Sequence, residues 1–179
     1  LNTKEVPDDK LLSADEVKRI LEDDSLPDRM RLIIRTFSIS GLRVSELCNI
    51  RTADVKAGSR HYAARIRGKG DKERWIQLPK DLVAEIRRVF QGCEYLFETS
   101  THSRYDRHDI SKAINAAGQR ILGKNVTAHT LRHTFATHLI RKGMTVKAVS
   151  KYIGHSGTAI TQDMYVHDSL ELEDIIGSM

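Results

Sequence analysis

HTLRHTFATH, residues 129–138, places three histidines and an arginine within ten positions. At about 100° per residue on a helix, His129, Arg132 and His133 share one face, and Leu131, Phe135 and Leu139 share another. Thr127 stands just upstream as an N-cap. The cationic stripe therefore begins at a helix N-terminus, where unpaired backbone N–H groups and the helix dipole already favour an anion. The expectation is a core-facing helix whose other face receives an oxyanion.

Outward from this stretch, helical spacing recurs on both sides. Ser13 with Glu16 forms a capping-box pattern that predicts a helix from about Ala14. A second helix is predicted over 28–40, "DRMRLIIRTFSIS", stopping at Gly41, and a short one at "RVSELCNI". The pattern then changes to two β-rich runs, "HYAARIRG" and "ERWIQLP", on either side of "KGDK", which reads as a hairpin with a Gly-containing turn. A third strand is expected around Asp54 to Lys56. Further helices are predicted from Leu82 to Phe90, His108 to Leu122, His129 to Arg141 and Val146 to Ile153. Two short amphipathic segments, Thr161 to Tyr165 and Leu170 to Ile176, close the chain. The predicted fold is mainly α (α+β), helices around a small antiparallel three-stranded sheet.

The 179 residues suit a single domain, and a hydrophobic fraction of 40% with 30% charged residues describes a globular chain. No apolar run reaches membrane-spanning length and no signal peptide is visible, so no membrane partner is expected. Cys48 and Cys93 are isolated and lack metal-ligand spacing, which reads as two reduced thiols in a cytoplasmic protein. The net charge is +5, unevenly spread: between residues 32 and 167 fall 23 basic and 11 acidic side chains. A polyanion, above all nucleic acid, is the partner this implies.

Four further stretches hold reactive side chains: "GLRVSEL" with Arg43 and Glu46, "RGKGDKER" with Lys69, "YIGHSG" with His155, and "TQDMYVH" with Tyr165. Singly each has an ordinary reading. A surface arginine at a helix start, a Gly turn too short for a phosphate-binding P-loop, and a helix C-terminal stop would account for the first three. In this order, and with "HTLRHTFATHLI" between them, they resemble the tyrosine recombinase family of phage integrases and Xer-type resolvases, from about Leu12 to about Ile176. The resemblance implies that Arg43 and Arg132 are the two catalytic arginines and that Lys69 is the hairpin lysine. It also implies that His129 and His155 are the two histidines and that Tyr165 is the nucleophile. His155 and Tyr165 are ten residues apart where the family usually has nine, and the loop around Gly157 is expected to absorb the extra residue.

The chemistry implied is DNA strand cleavage and rejoining through a 3′-phosphotyrosyl intermediate, with no cofactor and no metal. A phenol with a pKa of about 10 must lose its proton to attack, and His129 is the candidate base. Two planar guanidinium forks suit the non-bridging oxygens of a phosphate in its transition state, and His155 adds a donor. Lys69 would protonate the leaving 5′ oxygen. Lys72 and Arg74, flanking the hairpin, are expected phosphate contacts that position the duplex. Glu46, one turn after Arg43, either orients that arginine or is a solvated acid. His133 and His138 read as structural. The resemblance also implies double-stranded DNA and a homo-oligomer, a tetramer on two DNA sites with accessory DNA-bending proteins, acting at the nucleoid. The family's N-terminal DNA-clamping domain has no room here, so 1–179 is expected to be one catalytic domain, with 166–179 as a tail that docks on a neighbouring protomer or on its own domain.

Three other readings stay open on sequence. A type IB topoisomerase would share the fold and chemistry, and a DNA-binding module would share the fold alone. A zinc site is suggested by the i, i+4 pair His129 and His133, although Thr130 replaces the glutamate of the metalloprotease pattern.

Overall fold

The computed structural model describes residues 11–154 apart from Lys69 and Asp71. Its elements are α1 (Ala14–Glu22), α2 (Asp28–Ser40), α3 (Val44–Cys48), β1 (Val55–Ala57), β2 (His61–Arg67), β3 (Glu73–Pro79), α4 (Lys80–Phe90), α5 (Arg107–Leu122), α6 (Ala128–Arg141) and α7 (Val146–Tyr152). The segments predicted at 161–165 and 170–176 lie outside the described residues.

α2 is the centre of the molecule. It packs against α1, α4, α5, α6 and β3, burying Leu32, Ile33, Ile34, Phe37 and Ile39. Being enclosed round most of its circumference, it also buries Thr36, Ser38 and Ser40. Their hydroxyls donate to the carbonyls of Leu32, Ile34 and Thr36, one turn back, at 2.7, 2.9 and 2.5 Å. A helix can therefore place three hydroxyls in a core without leaving a polar group unpaired. α6 joins the same core through Leu131, while Phe135 and Leu139 form a smaller cluster with Val149, Tyr152 and Ile153, under which α7 is seated.

The sheet is antiparallel in the order β1-β2-β3, with Ala64 opposite Ile76 and Ile66 opposite Arg74. The predicted hairpin strands are both present. The third strand lies one residue later than expected, because Asp54 ends a 3-10 turn over Thr52–Asp54. Its buried carboxylate accepts from Arg65 Nη2 at 2.6 Å and pairs with Arg67 at 3.3 Å, so it is held by side chains of β2. α4 begins at Lys80 rather than Leu82, directly behind Pro79, whose restricted φ turns strand into helix with no loop between. Both predicted N-caps are formed: Ser13 with Glu16 closes a capping box, and Thr127 accepts from the Thr130 N–H at 3.0 Å.

Gly41 ends α2 in the left-handed region, at φ 62°. Space as well as φ demands glycine: a Cβ there would lie 2.7 Å from Phe135 Cδ1 and 2.9 Å from Ile153 Cγ2. Gly41→Ala should accordingly cost about 2 kcal/mol through overpacking and the left-handed penalty together, read as a lower urea midpoint at unchanged slope.

Candidate active site

The site begins where α2 stops. Two residues after Gly41, Arg43 takes an extended backbone as the N-cap of α3, and Glu46 in the first turn reaches back to it. The Arg43 N–H donates to Glu46 Oε2 at 2.8 Å, and Arg43 Nη1 donates to Oε1 at 3.0 Å. The same carboxylate is gripped from β3 by Arg74, whose Nη1 and Nη2 donate to Oε1 and Oε2 at 2.7 and 2.8 Å in a parallel fork. Glu46 thus orients Arg43, and the solvated-acid alternative does not hold, since Glu46 is 4% exposed.

Arg74 occupies a different place from the one expected of it. It is 8% exposed and turned into the protein, with its guanidinium on Glu46. Strand alternation is the cause: Arg74, Ile76 and Leu78 share the buried face of β3, while Glu73 and Trp75 point outward. Its Nε finds no acceptor among the described residues. Gly154, with φ 79°, lies flat on the guanidinium, a Cβ there being 2.9 Å from Nη1. Lys72 is exposed beside the hairpin turn, where its carbonyl accepts from the Gly68 N–H at 2.8 Å.

Arg132 comes from α6 and is 3% exposed. Nη1 donates to the Gly41 carbonyl at 2.5 Å and Nη2 to the Ile153 carbonyl at 2.6 Å, so the side chain bridges the C-terminal ends of α2 and α7. Those ends carry partial negative charge, which suits a buried cation that pairs with no carboxylate among the described residues. The next carbonyl, that of Gly154, accepts from Arg43 Nη2 at 3.2 Å. Two arginines from separate elements are thereby anchored on consecutive peptide groups. Burial foremost, and then repulsion by Arg43 and Arg74 against the attraction of Glu46, lower the Arg132 pKa to about 10, which leaves it protonated at neutral pH. Among the described residues, three guanidinium charges around one carboxylate make a cluster with positive charge to spare.

His129 and His133 stand one turn apart on α6 with their Nε2 atoms 2.7 Å from each other and their rings in a T-shaped contact. Two ring nitrogens at that distance share a proton, so His133 engages His129 directly. Burial, then the charges of His129 and Arg132, lower the His133 pKa and favour its neutral form. No third histidine, cysteine or carboxylate joins the pair among the described residues. His138 is half-buried further along α6, with a pKa lowered by burial and then by Arg141 and Lys142. Lys69, His155 and Tyr165 lie outside the described residues.

The chain and its fold have counterparts in known proteins. The family model described as "Phage integrase family" matches residues 10–171. The tyrosine recombinase XerA of Thermococcus kodakarensis is 37% identical over 163 residues, covering 86% of this chain and 56% of that protein. A tyrosine recombinase of Thermosipho africanus is 32% identical over 92% of this chain and 58% of its own length. The chain thus spans a little over half the length of these relatives. Among solved structures, a crystal structure of XerA recombinase has a TM-score of 0.68 at 31% identity, over 80% of this chain and 53% of that one. The pre-cleavage complex of the XerH site-specific recombinase with its difH substrate has a TM-score of 0.68 at 26% identity, over 82% and 47%. The lambda integrase catalytic core, at 23% identity and a TM-score of 0.62 over 81% and 91%, is similar in fold.

Glu46 supplies the test of the cluster. Burial alone would raise its pKa, but the hydrogen bonds and charge of Arg74, with those of Arg43, hold the carboxyl below the ordinary value of 4.5. Its contribution to stability is therefore complete above that pH and is lost as pH falls through the folded value. Glu46→Gln leaves the arginines without their counter-charge and should cost about 3 kcal/mol in urea unfolding at pH 7. The variant should also lose part of the stability decline seen in the parent chain on acidification below about pH 4.5.

Proposed function

The chain belongs to the phage integrase family, and from that premise we propose that it is the catalytic domain of a tyrosine site-specific recombinase, cleaving and rejoining DNA strands through a 3′-phosphotyrosyl intermediate. The observation that carries the proposal is the pairing of Arg43 and Arg132 on the consecutive carbonyls of Gly154 and Ile153. Each guanidinium has five N–H donors. Among the described residues Arg132 spends two of them on backbone carbonyls, which leaves donors and uncompensated charge for the non-bridging oxygens of a phosphate. A bound phosphodiester would offset the cost of burying Arg132, and would do so most fully as charge accumulates in the transition state.

In this reading Tyr165 attacks phosphorus, displacing the 5′ oxygen and forming the phosphotyrosyl bond, while His129 takes the phenol proton. Lys69 protonates the departing 5′ oxygen, and His155 adds a donor to the phosphate. In the reverse step the freed 5′ hydroxyl attacks phosphorus and the tyrosine leaves. Glu46 and Arg74 touch no reacting atom and act by positioning Arg43. Double-stranded DNA as partner is supported by the basic balance of residues 32–167 and by the DNA complex formed by XerH. In this reading Lys72, exposed beside the hairpin turn, contacts its backbone. Assembly as a tetramer on two DNA sites, the accessory DNA-bending proteins and a nucleoid location belong to the same proposal. Among the described residues no helix is long and apolar enough to cross a membrane.

Incubation with a nicked suicide duplex bearing the cognate site, in EDTA, should give a covalent protein–DNA band on a denaturing gel. Tyr165→Phe should abolish the band and leave DNA binding within about twofold, and an equal band from the variant would overturn the assignment of the nucleophile. Lys69→Ala should cleave an ordinary phosphodiester slower by about 10²-fold or more. It should recover on a substrate with sulfur at the 5′-bridging position, because a thiolate leaves without a proton. Absence of recovery would remove Lys69 as the acid.

A further inference from the structure

The segment between α4 and α5 holds three groups that recombination does not use. Cys93, Glu98 and His102 each present one ligand atom, and these atoms all lie within 4.8 Å of one another. In sequence they form Cys-x4-Glu-x3-His, a loose pattern with no helical or hairpin spacing behind it. Two features of the fold close it. Glu98 is 1% exposed, and its Oε1 accepts the N–H groups of Glu94 and Tyr95 at 2.7 and 2.9 Å, so the chain beside Cys93 is wrapped onto the carboxylate. On the other side a tight turn is closed by Thr99 N–H to the Ser103 carbonyl at 2.8 Å and His102 N–H to the Thr99 carbonyl at 3.0 Å. His102 sits in it at φ 54°, a left-handed position uncommon for histidine. That turn brings its ring back over Glu98, with Nδ1 3.4 Å from Oε2.

The geometry points to a divalent transition-metal site of the zinc class, with Cys93 Sγ, Glu98 Oε2 and His102 Nδ1 as protein ligands and water in the fourth position. Thiolate, imidazole and carboxylate together suit Zn²⁺ or Co²⁺, whereas Mg²⁺ and Ca²⁺ want oxygen alone. The two N–H groups on Oε1 are the kind of outer contact that fixes a ligating carboxylate, and they leave Oε2 facing His102 Nδ1. Those backbone hydrogen bonds hold the Glu98 carboxyl down at about 2, so the carboxylate needs no deprotonation to bind. The proton released on binding comes from the Cys93 thiol, and His102 must carry its remaining proton on Nε2 so that Nδ1 offers its lone pair. Cys93 and His102 are both exposed, so the ion arrives from solvent. Once bound it joins position 93 to position 102 and stabilises the folded chain by mass action.

Cobalt(II) titrated into the chelator-stripped chain, under a non-thiol reductant, tests the site without reference to DNA. The expected result is a thiolate-to-cobalt charge-transfer band that saturates at one ion per chain. The chain has two cysteines, and burial pushes the Cys48 thiol up to about 11, so the band reports Cys93. Cys93→Ser should abolish it. His102→Ala, at an exposed position, should weaken cobalt binding by at least about tenfold with the far-ultraviolet circular dichroism unchanged. The site is overturned by no band in the parent chain, by a band that survives Cys93→Ser, or by unchanged affinity in His102→Ala, which would mark a lone thiolate.

Discussion

One carboxylate, that of Glu46, sets the arrangement of everything around it. It lies on a five-residue helix too short to hold itself in place, yet it accepts four hydrogen bonds, two from the Arg43 backbone and side chain and two from Arg74. Those bonds tie the start of α3 to the third strand of the sheet. Arg43 and Arg132 extend the tie to α7 and to the end of α2. A buried ion pair of this kind adds little net stability over a well-packed apolar pair, because desolvation consumes most of the attraction. Its value is in specificity: an arginine held by a two-pronged carboxylate has one orientation, and the face that Arg43 leaves open is defined by what grips its other side.

The balance of charge follows from the same arrangement. A second acid would neutralise Arg132 and remove the attraction for an anion; no acid at all would make the cluster too repulsive to bury. Backbone carbonyls at two helix ends occupy the middle ground, offering Arg132 partial negative charge without a formal counter-ion. Burial first, and then repulsion by Arg43 and Arg74, lower the Arg132 pKa without discharging it at neutral pH.

Much of this architecture is legible in the sequence wherever the deciding interaction is local. The capping box at Ser13, the N-cap at Thr127, the left-handed stop at Gly41 and the hairpin strands all depend on residues within a few positions of one another, and each lies where local chemistry puts it. Arg74 was misplaced because its charge outweighed its phase. Read with period two, it falls in step with Ile76 and Leu78 on the buried face, a signal present in "ERWIQLP" and in conflict with the usual preference of arginine for solvent. The one-residue shift of β1 has the same origin, since Asp54 is drawn inward by arginines of β2, eleven and thirteen positions on. The approach of Cys93 to His102 was out of reach altogether, because it rests on a carboxylate buried by tertiary packing and on a backbone angle that no residue type announces.

The separations along the chain between the partners of Arg132 and Arg43 bear on how the molecule assembles. Arg132 and Gly41 are 91 residues apart, and Arg43 and Gly154 are 111 apart. Contacts that close such long loops form late, after the local helices and the hairpin have lowered the entropic cost of bringing them together. A nascent or half-folded chain therefore has its helices before it has its paired arginines. The strand cleavage proposed for this site is coupled in this way to the completion of the fold, and a chain that opens far enough to release α7 gives up the carbonyls of Ile153 and Gly154, and with them the pairing of both arginines, in a single event.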